Sequence, residues 1–218
     1  MRTIFPCWQL IVYVFWALSM GFSAQAQDQR LIDSLYRAFH TERDPVKKTD
    51  LLYAIANEQD DAGDPDRGFR YADSLDLLAK AARYEKGHAR ALDIRGWAHK
   101  NKGEFTAALP IFREQLSIFT HLRDLEGQGR AYSNLGATWQ EMQAHDSAIV
   151  YLLKSLEVKE KLGNMSDVAS GLANIANAYN DLDAHDKAIE MHLRALSIRR
   201  ELGEEKRTMF TLNNLMVA

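Results

Sequence analysis

Residues 127–166, GQGRAYSNLGATWQEMQAHDSAIVYLLKSLEVKEKLGNMS, and residues 167–206, DVASGLANIANAYNDLDAHDKAIEMHLRALSIRRELGEEK, lie over one another without a gap. They share ten identities in 40 positions: Asn134/Asn174, Ala144/Ala184, His145/His185, Asp146/Asp186, Ala148/Ala188, Ile149/Ile189, Leu153/Leu193, Leu156/Leu196, Leu162/Leu202 and Gly163/Gly203. Unrelated stretches of ordinary composition share roughly two or three. Moving back by forty, 87–126 shares seven with 127–166, among them Gly96/Gly136, Ala108/Ala148, Leu116/Leu156 and Leu122/Leu162. The window 47–86 keeps only Leu52/Leu92, Gly63/Gly103 and Arg83/Arg123, yet its apolar pattern persists in Leu52, Ile55 and Ala56, then Ala72, Leu75 and Leu78. A period of forty residues therefore organises the chain from 47 onward.

Each copy reads as two helices. Tyr132, Leu135, Gly136 and Trp139 recur at helical spacing, and after a break near 143–145 the set Ala148, Leu152 and Leu156 does the same. Start signals mark the breaks: Asp64 precedes Pro65 as a cap before a first-position proline, and Asp146 and Asp186 sit in first turns, where the helix dipole favours acids. Short loops between such helices force antiparallel hairpins. Pro110 falls inside a second helix, which predicts a bend or a late start there.

The spacing divides the chain into a leader 1–26, an N-terminal helix or linker 27–46, repeats 47–86, 87–126, 127–166 and 167–206, and the start of another repeat in 207–218. In the leader, Arg2 precedes an apolar run from Leu10 to Phe22 and then Ala24-Gln25-Ala26, the pattern of a secretory signal peptide cleaved after Ala26. The alternative is an uncleaved membrane anchor. Either reading places the rest of the chain outside the cytoplasm, periplasmic or extracellular. Cys7, the single cysteine, lies in this leader, so the exported part has no disulfide, thiol nucleophile or Cys-ligated zinc.

The forty-residue pattern resembles the tetratricopeptide repeat family in its long-helix, exported bacterial form. Tyr132, Leu135-Gly136 and Trp139 match the family's first-helix signature, with Leu172, Ile175-Ala176 and Tyr179 a looser match. Ala148, Leu152 and Ser155, and Ala188, His192 and Ala195, match the second-helix signature. Arg95, His99 and Gly68 depart from it, which marks the first two copies as the looser ones. The resemblance implies an all-α right-handed superhelix of antiparallel hairpins, an α-solenoid whose first helices line a concave groove. It places Arg90, Asp93, Trp97, Lys100, Asn101, Arg130, Ser133, Gln140, Glu141, Asn177, Asn180 and Asp181 along that groove. The row Asn134, Asn174 and Asn214 recurs on the same side. An amide both donates and accepts, so such a row suits the main chain of an extended peptide, or else ties adjacent helices together.

Composition narrows the remaining classes. The 27 Lys+Arg nearly balance 30 Asp+Glu, which gives no bulk attraction to nucleic acid or an anionic membrane. A membrane role would come only through an uncleaved leader or a segment downstream of residue 218. No sequence feature specifies an oligomeric state. His145 and His185 fall at equivalent positions without a third ligand, Asp60, Asp61, Asp64 and Asp66 lack the spacing of a calcium loop, and Gly127-Gln128-Gly129 follows no strand. No catalytic constellation, cofactor or metal is expected, and the partner is a protein or peptide. The last residues, Phe210, Leu212, Leu215, Met216 and Val217, begin a further first helix without a polar cap. That reads as a truncated product or the front of a longer protein, and exported repeats of this kind resemble the sensory halves of transmembrane histidine kinases. The expected role is a non-catalytic binding scaffold, and the alternative is such a sensory part.

Overall fold

A computed structural model of the chain describes residues 29–59 and 64–215, apart from the side chains of Lys206, Phe210, Asn213, Asn214 and Leu215. The leader 1–26 and the acids Asp60 and Asp61 lie outside these residues. Ten helices and no strand are present among the described residues: α1 (29–41), α2 (Pro45–Glu58), α3 (Pro65–Ala82), α4 (Glu85–Asn101), α5 (Phe105–His121), α6 (Leu125–Glu141), α7 (His145–Leu162), α8 (Met165–Asn180), α9 (His185–Glu201) and α10 (Glu205–Leu215). None of the described helices is long and apolar enough to cross a membrane.

Local chemistry sets these boundaries. Asp44, Asp64, Asp124 and Asn164 cap α2, α3, α6 and α8 by accepting backbone N–H bonds, as when Asp124 Oδ1 accepts from Gly127 N at 3.0 Å. Left-handed residues close the helices at Arg83, Gly103, Arg123, Gln143, Gly163, Asp183 and Gly203, one every twenty positions. In six of these seven turns the chain reverses through the same bond, as when Glu104 N donates to His99 O, Ala144 N to Trp139 O and Ala184 N to Tyr179 O, all at 2.9–3.0 Å. The forty-residue repeat is therefore two nearly equal halves. Pro110 does not delay α5, which starts at Phe105, the register of His145 and His185; the proline sits in the second turn.

Packing within the hairpins rests on small residues facing large ones. A Cβ on Gly96 would enter the Phe112 ring, and one on Gly136 would lie 2.7 Å from Leu152 Cγ. Phe112, Ala108, Ala148 and Ala188 are fully buried. The departures at Arg95 and His99 are absorbed at the rim, where Arg95 Nη2 reaches Asp73 Oδ1 at 2.7 Å and His99 meets Phe69 edge-on at 4.8 Å.

Successive first helices are joined through side-chain hydrogen bonds and ion pairs. Tyr53 on α2 reaches Asp93 on α4, Asn134 on α6 reaches Asp93, and Gln140 on α6 reaches Asp181 beside α8. From α3 onward, the second helices make one such contact across repeats among the described residues, the long pair Arg194 Nη2 to Glu160 Oε1 at 3.5 Å. The more closely joined layer lies on the inside of the curve, so α2, α4, α6 and α8 form the concave face.

Candidate functional site

The concave face begins with a closed polar network. Asp93 is only 3 % exposed, and a carboxylate so buried must have its lone pairs filled. Tyr53 Oη donates to its Oδ2 at 2.6 Å and Asn134 Nδ2 to its Oδ1 at 2.6 Å. Arg130 Nη1 donates to Tyr53 Oη and lies 3.8 Å from Asp93 Oδ2. Burial, reinforced by the Asp93 carboxylate, pushes the Tyr53 phenol well above its ordinary range against the pull of Arg130, so Tyr53 stays a donor. Arg90 pairs with Asp50 and stacks its guanidinium 5.0 Å from the Tyr53 ring. These contacts bind α2, α4 and α6 into one unit.

The row of asparagines recurs in sequence but not in environment. Asn134 is buried and held by Asp93, which makes it a tie between helices. Asn174 is exposed, and its side chain makes no hydrogen bond among the described residues. The reason lies one repeat back: the place of Asp93 is taken by Ser133, whose hydroxyl is already engaged by Ser155 and Lys159. The side chain of Asn214 lies outside the described residues.

Other groove residues divide in the same way. Lys100 lies over the Trp97 ring at 4.4 Å and reaches Glu141 at 3.5 Å, and Gln140 is bonded to Asp181. Trp97 is 38 % exposed. Asn177 is half-buried and, like Asn174, makes no side-chain hydrogen bond among the described residues; Asn180 has a buried Oδ1 without a donor. The open polar groups therefore collect on α8, while those of α2, α4 and α6 are mostly engaged. His145 is partly buried, 3.5 Å from Asp181 Oδ2, and His185 is exposed. No group of three or more metal-ligating side chains occurs among the described residues.

Between the two regions opens a cavity of about 350 Å³. Trp97 and Leu162 form apolar walls, and Asn57, Arg130, Ser133 and Asn134 line it with Glu126, Asp167 and Lys159. Lys159 Nζ donates to Ser133 Oγ at 3.1 Å, and Ser155 Oγ donates to Gly129 O at 2.8 Å. With the two hydroxyls 2.7 Å apart, a single direction of donation runs from Lys159 through Ser133 and Ser155 to the backbone. Lys159 was not among the residues that the sequence pointed to, because it lies at the end of a second helix. The available signal was its register: positions 119, 159 and 199 are Phe, Lys and Arg.

The comparisons with known proteins agree with this architecture. Residues 129–163 and 168–204 match the tetratricopeptide repeat. No curated protein matches the sequence. Among solved structures, BtubC from P. vanneervenii is similar with a TM-score of 0.69 at 20% identity, over 87% of this chain and 79% of its own. The apo form of RapI gives 0.69 at 15% identity over 91% and 74%. A Rap protein complexed with competence and sporulation factor gives 0.73 at 18% identity, over 85% of this chain and 53% of its own. At these identities the likeness is one of fold. Residues 129–163 and 168–204 thus carry the tetratricopeptide repeat, and the helices around them continue the same α-solenoid.

Proposed function

We propose that the chain is a non-catalytic scaffold that binds an extended peptide, or an extended segment of a protein, along the inner face of α4, α6 and α8. One observation carries the reading: the unbonded amides of Asn174 and Asn177 stand on the same concave face as a cavity walled by the exposed Trp97. Amides without partners are suited to a peptide main chain, and an exposed indole beside them suits an apolar anchor. One of the structurally similar proteins, the Rap protein, was solved with a bound factor, which supports the use of this fold for capture. We place the scaffold outside the cytoplasm on the strength of residues 1–26.

The test is selection of binders from a random dodecapeptide library, followed by titration of the selected peptides against variants. Trp97→Ala and the pair Asn174→Ala/Asn177→Ala are expected to weaken binding tenfold or more with little change in melting temperature. Loss of binding in Leu153→Glu/Leu193→Glu instead, on the exposed outer faces of α7 and α9, would move the site to the convex side.

A further inference from the structure

We propose that the cavity between the second helices α3 and α5, on the outer layer of the solenoid, binds a small zwitterion: an amino acid or dipeptide with an apolar side chain. The site lies away from the groove and is independent of the peptide reading. About 670 Å³ is open there, against about 350 Å³ beside Trp97. Residue size explains the room. In the next repeat Phe119 lays its ring on Gly127, whereas the equivalent of Phe119 is Ala79, and the ring over Gly87 comes from Tyr84 in the turn. The helix position is thereby vacated, and Ala79, Tyr84 and Ile118 give the cavity an apolar side. Burial, with a hydrogen bond to Asp50, pushes the Tyr84 phenol up to about 12, so this wall stays neutral.

The charges that line the cavity are separated by sign. Lys80 and Arg83 come from the end of α3, and Glu85 and Glu114 from α4 and α5. Two of each sign give no net attraction for an ion of one charge, but they suit a molecule that carries both. Arg83 and Glu85 make no side-chain hydrogen bond or ion pair among the described residues. A planar guanidinium takes a carboxylate in two parallel bonds. For the ammonium, the acceptor on the opposite wall is Glu114. His88 Nδ1 meets Asp76 Oδ1 at 2.6 Å and its Nε2 lies 3.7 Å from Glu114 Oε1, so a neutral ring that gives its proton to Asp76 has none left for Glu114.

The later hairpins show what is missing. Glu160 and Arg194 are the counterparts of Lys80 and Glu114 two repeats on, and they meet between α7 and α9 at 3.5 Å. Between α3 and α5 the opposite charges stand at the same two positions without meeting, because Lys80 Nζ turns along its own helix to Asp76 Oδ2 at 2.7 Å. A zwitterion with its carboxylate toward Arg83 and its ammonium toward Glu114 bridges the two helices in place of that ion pair.

The experiment titrates the chain with L-leucine, the dipeptide Leu-Leu, isoamylamine and isocaproate, followed by amide NMR shifts; the last two are leucine without its carboxylate and leucine without its amine. At least one zwitterion is expected to shift residues 83–88 and 114–121 and to bind tenfold or more tightly than either single-charge analogue, and the tighter of leucine and Leu-Leu tells an amino acid site from a dipeptide site. Arg83→Gly copies Gly163, which occupies the same left-handed position two repeats on, and is expected to raise the Kd of the zwitterion tenfold or more while leaving isoamylamine within twofold. Lys80→Glu/Glu114→Arg installs the α7–α9 pair and is expected to abolish zwitterion binding. Melting curves check that both variants fold, and the comparison of the four probes on the wild type needs neither. Equal binding of zwitterions and single-charge analogues, shifts gathered elsewhere, an unchanged Kd in a folded Arg83→Gly, or no binding of either zwitterion at millimolar concentration overturns the proposal and leaves the groove reading intact.

Discussion

The hairpin α4–α5 and the hairpin α8–α9 occupy equivalent places in the solenoid and are built from different chemistry. The first fills its interior with Phe112 and Phe119 and closes its polar side around Asp93. The second puts His192 at the position of Phe112 and Arg199 at that of Phe119, and leaves Asn174 and Asn177 unbonded on its inner face. The repeat between them is intermediate, with Leu152 inside and Lys159 facing a cavity. One backbone template thus supports a sealed end and an open end. Packing and the bonds around Asp93 hold the first, although Gln115 of α5 is buried there without a hydrogen-bond partner, while the second keeps polar groups available on its inner face, which is the division expected where binding residues sit on a scaffold.

The largest expected effect comes from breaking the sealed end. Phe112→Ala removes a fully buried ring that faces Gly96 and is expected to destabilise by about 3–5 kcal/mol, read from urea unfolding followed by circular dichroism. Asp93→Ala strands Tyr53, Asn134 and Arg130 at once; a loss of about 3 kcal/mol is expected in the same assay, and a loss under 1 kcal/mol would contradict the closed network.

A pH series sharpens the contrast from the other end. His192 is fully buried, neither ring nitrogen has a hydrogen-bond partner, and burial, aided by the positive charge of Arg199, holds its pKa below the ordinary value. The imidazole therefore binds its proton less tightly in the folded protein than in the unfolded chain. Stability is unaffected well above about pH 6.5 and falls as pH drops below it, with a limiting slope of about 1.4 kcal/mol per pH unit. His192→Leu, which copies Leu152, is expected to flatten the acid side of a stability profile between pH 5 and 7.5; an unchanged acid limb would place the titrating group elsewhere.

The two asparagines give a smaller and more pointed comparison. Asn134→Ala removes one donor from a buried carboxylate and is expected to cost about 1–3 kcal/mol, whereas Asn174→Ala is expected to stay within about 0.5 kcal/mol of the wild type in the same unfolding assay. Equal costs would restore the asparagines as a uniform row. A small effect is also expected at the turn between repeats: Arg123 adopts φ 54° where the next repeat has Gly163 at φ 72°. Arg123→Gly relieves a left-handed side chain at the price of a looser unfolded backbone, and a shift within about 1 kcal/mol in either direction is expected from thermal melts.

Much of this was legible in the sequence because a forty-residue period fixes where each helix faces. The helix pairs and the Asp64-Pro65 start follow from spacing and residue type alone. What spacing does not carry is partner choice. Asn134 and Asn174 are identical residues at identical positions, yet one faces Asp93 and the other faces an engaged Ser133, so their environments differ through neighbours forty residues away. Tyr53 belongs to the most degenerate copy, where the repeat signal is weakest, and its bond to Asp93 leaves no trace in the pattern. Lys159 was obscured because the groove was read from first helices, while the space beside Gly129 and Ser133 is completed by the end of a second helix.

The most direct test is a map of backbone and side-chain NMR shifts on adding a library-selected dodecapeptide to the isotope-labelled chain. The account predicts that the shifts gather at Trp97, Ser133, Lys159, Asn174 and Asn177 on the concave face. Shifts gathered instead at Val150, Leu153, Ile189 and Leu193, the exposed apolar residues of α7 and α9, would contradict it.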